Sequence, residues 1–259
     1  MKKLLVGSIF SDDKPLQKQW LDIQLKYLSV TTDSYDHVAV VSKIATDDYF
    51  GSKTKVIYPQ DMNLTGSDAH TQGLNLLLEY FRSNQSNYEN FLFIDGDAFP
   101  IKKQWMLSLL NKMDSKDIAI AIRSENLETR WHASILFAKR NALDHLSFEM
   151  KLVGNDLAGN KEEDVSVPVY QFERRNFVFP LIRTNQFNLH PVACGIYYDM
   201  FYHHCCGSGR WLSLRSNDYY NRIVTPIDDL TPITNRLFQN PNEFIKKIAG
   251  WSVTRYGIT

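Results

Sequence analysis

The sequence predicts an α/β protein with a Rossmann-like, mostly parallel central sheet flanked by helices. From Leu4 to Ile122, short apolar runs of strand length alternate with longer segments whose apolar residues recur at helical spacing. Polar clusters and capping residues separate the two kinds of segment. The alternation weakens after Arg123, so a less regular second half is expected to complete the same domain.

Five apolar runs are the predicted strands of this sheet. Each is short, is bounded by polar or turn residues and contains few charged side chains, as expected of a strand that is covered on both faces. The runs cover residues 4–10, 37–42, 55–59, 91–94 and 118–122.

Three helices are predicted between these strands. Pro15 suits a first helical turn, and the apolar residues from Leu16 to Leu28 then form one broad helical face. A second helix is expected to begin near Ser67, and a third to cover about 104–112.

Beyond residue 123 the predicted elements are less regular. A helix near the end is expected to begin with Asn240 as its cap and Pro241 in its first turn, and to stop at Gly250. The other expected elements are a strand at 134–138, a short helix at 141–150, a polar loop at 154–164 and strands within 177–204.

Charge and cysteine content narrow the classes of function. Lys+Arg and Asp+Glu both number 29, so a net charge of zero gives no general field for nucleic acid, and no nucleic-acid partner is expected. Three cysteines, two of them adjacent, make a poor disulfide framework and indicate a reducing compartment. The N-terminal apolar stretch is too short for a signal peptide, and no window approaches the ~20 apolar residues that span a bilayer. We therefore expect a cytoplasmic protein without a transmembrane segment.

The most informative motif is an acidic pair after the fourth predicted strand. Asp95 and Asp97 follow the apolar run 91–94 directly, and ligands of open α/β sheets bind at the carboxyl ends of the strands. Gly96 between them permits a sharp turn, so both carboxylates can approach one hard cation, Mg²⁺ or Mn²⁺, that bridges to a nucleotide diphosphate. The alternative is a turn whose Asp side chains only cap backbone groups. The position at the sheet edge favours the metal.

A histidine-rich segment at 201–210 offers further ligands. His203 and His204 face opposite sides if the segment is a strand, so at most one is expected to bind the metal, and the spacing to the small residues that follow favours His203. Arg210 could contact the diphosphate as a fork donor. The alternative is one packed and one exposed histidine, beside an ordinary surface arginine.

These motifs resemble the glycosyltransferases of the GT-A fold, especially the broad inverting group called family 2. In that family a Rossmann-like half ends in an apolar strand followed by Asp-x-Asp, which residues 91–97 match. The resemblance implies that Asp97 and Asp95 serve the metal and a nucleotide-diphosphate sugar donor, with a carbohydrate or glycoconjugate as acceptor. It also implies one domain, 1–259, with a nucleotide-sugar-binding half (about 1–123) and an acceptor-binding half (about 124–259).

The resemblance also implies residues on the donor side. Asp68 and His70 lie in the first turn of the second predicted helix, which approaches the nucleotide in similar enzymes and whose N-terminus favours anionic groups. Phe10 and Ser11 end the first strand, where such folds hold the nucleobase. Asp68 could equally serve only the helix dipole.

On the acceptor side, an inverting transferase needs a carboxylate base. Asp164 is the best match to the family's base, and Asp156 is a weaker candidate in the same stretch. The alternative for both is a solvated acidic loop. Trp131 and His132 follow the fifth strand and could stack on a sugar, or belong to the core.

We therefore expect a metal-dependent, inverting glycosyltransferase. The alternatives are a catalytically silent GT-A-like domain that binds sugar or nucleotide and a metal-dependent phosphotransferase. The phosphatase motif Asp-x-Asp-x-Thr is not matched, because Phe99 stands at the threonine position. The Gly-rich loop of sugar nucleotidyltransferases is not matched at 7–11 either.

Overall fold

A computed structural model describes residues 3–10, 15–41, 54–59, 66–123, 130–155, 161–166, 177–189, 193–204 and 230–250. The strands are β1 (Leu4–Phe10), β2 (Tyr35–Val41), β3 (Thr54–Ile57), β4 (Asn90–Asp95), β5 (Ala98–Pro100), β6 (Ile118–Arg123), β7 (Arg130–Lys139), β8 (Glu149–Asn155), β9 (Lys161–Ser166), β10 (Val178–Leu181), β11 (Gly195–Tyr197) and β12 (Phe201–His203). The helices are α1 (Pro15–Thr31), α2 (Gly66–Asn84), α3 (Trp105–Met113), α4 (Thr231–Gln239) and α5 (Pro241–Ala249). Short 3₁₀ helices cover Gln85–Asn87 and Arg140–His145.

Seven strands form the central sheet in the order β10-β6-β7-β4-β1-β2-β3. Strands β1 to β4 run parallel to their neighbours in this set, and β10 runs parallel to β6. Strand β7 lies between β4 and β6 and is antiparallel to both. The prediction of a mostly parallel α/β sheet flanked by helices is confirmed, and β7 is the exception to its direction.

The sheet is covered on both faces, which explains why its central strands are apolar throughout. In β1, Leu5 and Ile9 face a core cluster that includes the inner side of α2. The side chains of Leu4 and Val6, which alternate with Leu5 along the strand, face another cluster on the other side of the sheet. Gly7 lets α2 approach closely, since a Cβ there would lie 2.7 Å from Phe81 Cζ.

A second, three-stranded sheet has the order β11-β12-β5 and is antiparallel. Strand β5 follows β4 after a two-residue turn, so this small sheet adjoins the carboxyl edge of the central sheet. Strands β8 and β9 form a separate antiparallel pair.

Two predicted elements of the second half are wrong. The short helix expected at 141–150 is a 3₁₀ helix, Arg140–His145, followed by strand β8 from Glu149. The polar loop expected at 154–164 contains the end of β8 and most of β9. Cross-strand pairing of the two segments overrides their polar composition, since strand preference depends on the partner more than on the residue type.

The C-terminal helix α5 has the predicted ends. The Asn240 side chain accepts a hydrogen bond from the Glu243 N–H, and Pro241 occupies the first turn. Gly250 ends the helix with φ of +70°, a left-handed conformation that favours glycine. Within the described ranges, every helix is too short or too polar to cross a membrane.

Candidate metal centre

The acidic pair lies where the sequence predicts it, at the carboxyl end of β4. Asp95 is the last residue of the strand, and the turn 96–97 connects it to β5. Gly96 donates its N–H to the Ile9 carbonyl at 3.1 Å. A Cβ on Gly96 would lie 2.8 Å from that oxygen and 2.7 Å from the Phe10 ring. Close packing against β1, and no positive φ, therefore accounts for glycine at this position.

The small sheet carries His203 to the acidic pair. In the β5–β12 ladder His203 pairs with Ala98, the residue after Asp97. The next residue, His204, donates its backbone N–H to the Asp97 carbonyl at 3.1 Å. A segment from late in the chain is thus hydrogen-bonded directly to the Asp-Gly-Asp turn.

Three side chains form a cluster with the chemistry of a metal site. His203 Nε2 lies 3.4 Å from Asp95 Oδ2 and 3.4 Å from Asp97 Oδ1. One potential ligand atom from each of the three residues lies within 4.8 Å of the others. The His203 side chain is 3% exposed, whereas those of Asp95 and Asp97 are 18% and 11% exposed, so the carboxylates form the solvent side.

His70 contacts the same cluster from α2. Its Nε2 lies 2.8 Å from Asp95 Oδ1, the carboxylate oxygen that does not face His203. Gly73, one turn further along α2, packs its Cα against Ile9, where a Cβ would lie 3.1 Å from Ile9 Cγ2. The close approach of α2 to β1 therefore sets the position of His70.

The environment of Asp95 favours its ionised form. Burial, the strongest single influence, raises the pKa of this carboxyl, but the His70 charge and hydrogen bonds from His203 and His70 together hold the pKa well below its ordinary value. Asp95 is therefore a carboxylate with one imidazole on each oxygen. It is the central residue of the cluster.

His204 lies apart from this cluster. Its Nδ1 is 2.7 Å from the Tyr202 hydroxyl, and its Nε2 is 2.9 Å from Thr234 Oγ1. Its ring packs against Trp20, with 4.8 Å between the ring centroids. Because both ring nitrogens contact protein hydroxyls and the side chain is buried, His204 joins β12 to α4 and offers no metal ligand.

His132 lies beside the cluster. Its ring centroid is 5.9 Å from that of His203, and its Nδ1 accepts a hydrogen bond from the Ser134 N–H. Since β7 is antiparallel, its first residues lie at the edge where β4 ends. A register shift between Ile120 and Ala121 in the β6–β7 ladder lies next to this position, as is common near functional sites. Trp131, by contrast, packs against the core on the α2 side.

The remaining predicted site residues are distributed unevenly. Asp68 is exposed in the first turn of α2, on the same turn as His70. Phe10 is 1% exposed and packs in the core beneath Gly96. Asp164 is a residue of β9 that pairs with Lys151, and the helix start expected for the family's base is not found there. Ser11, Asp156 and Arg210 lie outside the described residues.

Sequence reasoning missed a buried polar network beneath the turn. Gln24 of α1 is fully buried, and its Nε2 donates to the carbonyls of Asp95 at 2.9 Å and Ala98 at 2.7 Å. Its Oε1 accepts from Ser8 Oγ at 2.7 Å, and Ser8 in turn contacts His37. A signal was present, since Gln24 stands four residues after Trp20 in the apolar stripe of α1, where a polar residue needs a partner.

The ligand atoms present fit a divalent cation. A metal about 2.1 Å from each ligand holds neighbouring ligands about 3 Å apart at right angles, and the separations of 3.4 Å between His203 and each aspartate are close to this value. Two carboxylates with one imidazole suit Mg²⁺, Mn²⁺ or Zn²⁺. Asp95, Asp97 and His203 are therefore the residues that could hold the ion.

The chain is similar to nucleotide-diphospho-sugar transferases. A structure assigned to that class, from Desulfovibrio desulfuricans G20, shares 12% identity over 95% of this chain and 98% of its own, with a TM-score of 0.43. A glycosyltransferase involved in the glycosylation of the major capsid of PBCV-1 shares 10% identity over 56% of this chain and 63% of its own, with a TM-score of 0.38. A197 from STIV shares 12% identity over 79% of this chain and 94% of its own, also at 0.38.

No protein-family profile matches the sequence. No curated protein sequence matches it either.

Proposed function

We propose that this chain is a metal-dependent glycosyltransferase that moves a sugar from a nucleotide-diphosphate sugar to an acceptor hydroxyl. The observation that carries the proposal is the meeting of Asp95, Asp97 and His203 at the carboxyl edge of a mostly parallel sheet. That edge is where open α/β sheets bind their ligands. Partly exposed carboxylates beside a buried imidazole suit an ion that must also contact a substrate.

A divalent ion at this position would neutralise the charge that develops on the diphosphate as the nucleotide leaves. The chain's own groups have distinct parts in this proposal. Asp97 and Asp95 hold the ion, and His203 supplies the third ligand from the buried side. His70 contacts Asp95 Oδ1, the oxygen that does not face His203. The N-terminal turn of α2, which carries Asp68 and His70, lies beside the site and favours anionic groups.

The proposal extends to the acceptor and to the stereochemistry. The acceptor is a carbohydrate or glycoconjugate hydroxyl, the reaction inverts the anomeric carbon, and Asp164 is the base that takes the hydroxyl proton. The division into a donor half (about 1–123) and an acceptor half (about 124–259), and a cytoplasmic location, belong to the same proposal. Analysis of the product anomer, and an Asp164→Asn variant that keeps donor binding but loses transfer, would support this part.

The decisive experiment measures binding of metal and donor together. Mn²⁺ affinity is measured by titration calorimetry, and thermal shift is then measured with UDP-, GDP- and CMP-sugars with and without Mn²⁺. We expect one nucleotide class to stabilise the wild type only with the ion, and Asp97→Asn or His203→Gln to abolish this stabilisation. Asp117→Asn is the matched control, because Asp117 precedes β6 at the opposite edge of the sheet. A wild type that no nucleotide stabilises in a metal-linked way would overturn the proposal.

Turnover separates the proposed enzyme from its alternatives. Slow release of free sugar from the stabilising donor in water is expected of a transferase and not of a silent binding domain. Transfer of phosphate in place of sugar would indicate a phosphotransferase at the same metal site. Nucleotide binding without any release of sugar, or transfer of phosphate, would replace the glycosyltransferase proposal while leaving the metal site intact.

A further inference from the structure

The turn that carries the two aspartates is held from beneath by one buried side chain. Gln24 Nε2 has two N–H groups, and both are used: one donates to the Asp95 carbonyl and the other to the Ala98 carbonyl. These carbonyls are the last of β4 and the first of β5, so the amide joins the two ends of the turn 96–97.

The orientation of this amide is fixed by a chain of hydrogen bonds with one direction. Ser8 donates its only hydroxyl proton to Gln24 Oε1, so its oxygen must accept from His37 Nε2. His37 then carries its proton on Nε2, and Nδ1 accepts from the Thr54 hydroxyl at 3.0 Å. Burial lowers the pKa of His37 to about 3, which keeps the ring neutral and this arrangement intact.

The opposite orientation of the Gln24 amide, with Oε1 and Nε2 exchanged, would be unfavourable. Its oxygen would face the carbonyl oxygens of Asp95 and Ala98, which are acceptors only, and two buried carbonyls would lose their donors. Ser8 and Gln24 are both fully shielded from solvent, so water cannot replace these bonds. The network therefore permits a single orientation of the amide.

We infer that Gln24 is a positioning residue that sets the geometry of the Asp95–Ala98 turn, and through it the placement of both carboxylates and of the strand that carries His203. The second effect follows from β5, since Ala98 is both the acceptor of the Gln24 bond and the ladder partner of His203. The effect of Gln24 on metal binding rests on the proposed metal-dependent function. Gln24 contacts neither ion nor substrate in this assignment and acts only through the backbone.

The test compares Gln24→Met with Leu143→Ala. Methionine keeps the length and approximate volume of the side chain but has no N–H donor. Leu143 is fully buried in the 3₁₀ helix that follows β7, at the opposite edge of the sheet, so its truncation lowers stability without touching the turn. Mn²⁺ affinity and amide hydrogen exchange of the metal-free protein are measured for both variants and the wild type.

We expect Gln24→Met to weaken Mn²⁺ binding about 10- to 100-fold, as is usual when a residue that orients ligands is lost. In the metal-free protein we expect faster exchange of the Gly96 and His204 amides, whose hydrogen bonds hold the two sides of the turn, relative to the rest of the sheet. Leu143→Ala should change Mn²⁺ affinity less than about twofold and leave these two amides at the protection of their neighbours.

Unchanged Mn²⁺ affinity in Gln24→Met, or unchanged protection of Gly96 and His204, would overturn the inference. If the wild type binds no Mn²⁺, the proposed function fails, and hydrogen exchange alone decides whether Gln24 shapes the turn. If Gln24→Met does not fold, Ser8→Ala is measured in its place. That variant removes the donor that fixes the amide and should accelerate exchange of the same two amides, whereas wild-type protection in Ser8→Ala would count against the inference.

Discussion

The stability of this protein is expected to fall in mild acid because of His37. The ring is buried between Ser8 and Thr54, and burial lowers its pKa from 6.5 to about 3. Below pH 6.5 the His37 imidazole is therefore protonated in the unfolded chain, whereas it stays neutral in the folded chain until about pH 3. The contribution of His37 to stability is complete above pH 6.5 and is lost as the pH falls through this window.

The magnitude follows from the width of the window. A pH of 5 is about 1.5 units below the ordinary pKa of the imidazole in the unfolded chain, and each unit lowers the free energy of unfolding by about 1.36 kcal/mol. His37 alone should therefore remove about 2 kcal/mol from the free energy of unfolding between pH 7.5 and pH 5. For a domain with ordinary stability this is a large fraction of the total.

The assay is urea unfolding at pH 7.5 and pH 5.0 for the wild type and His37→Gln. The variant should be less stable at pH 7.5, because it cannot reach both hydroxyl partners, but its loss on acidification should be about 2 kcal/mol smaller than that of the wild type. Leu143→Ala, which removes no titratable group, should keep the wild-type pH dependence. Equal losses on acidification in the wild type and His37→Gln would refute this account of the ring.

Four further substitutions test the site and the structure around it. Gly96→Ala should lower the free energy of unfolding by about 1–3 kcal/mol, because the new Cβ would meet a backbone oxygen. Gly73→Ala should lower the free energy of unfolding less, because its Cβ meets only a side chain and alanine has the higher helix propensity. Urea unfolding measures both effects. His70→Asn should weaken Mn²⁺ binding by about 10- to 100-fold in a calorimetric titration, since it removes the imidazole that contacts Asp95 Oδ1. Arg82→Met should lower stability by about 1–3 kcal/mol and leave Mn²⁺ affinity unchanged, because the guanidinium donates to two carbonyls at the opposite edge of the sheet. A lower Mn²⁺ affinity in Arg82→Met, or none lost in His70→Asn, would contradict the corresponding prediction.

The first half of the fold is predictable because local pattern and tertiary position agree there. Strands β1 to β4 and helices α1 to α3 have the order and approximate bounds that hydrophobic periodicity predicts. The direction of β7 is not predictable in the same way. Its apolar run marks a strand, but only pairing with β4 and β6 makes it antiparallel and places it between them.

The candidate site likewise contains residues that local sequence pattern predicts and contacts that only tertiary packing creates. The Asp-Gly-Asp turn is local, so its position at the end of a buried strand can be inferred from the sequence. Alternation of side chains along a strand separates His203 from His204, and the structure brings His203 to the aspartates. The contact of His70 with Asp95 depends on how closely α2 approaches β1, which periodicity does not specify.

The pairing of β5 with β12 has a consequence for how the site forms. Ala98 and His203 are far apart in the chain, and closing such a long loop is entropically costly until the intervening structure is in place. Of the three proposed ligands, the carboxylates of Asp95 and Asp97 are close together in the unfolded chain, whereas His203 is not, and two carboxylates without the imidazole bind a cation weakly. An ion should therefore bind after the sheet has folded, and should slow unfolding more than it speeds folding.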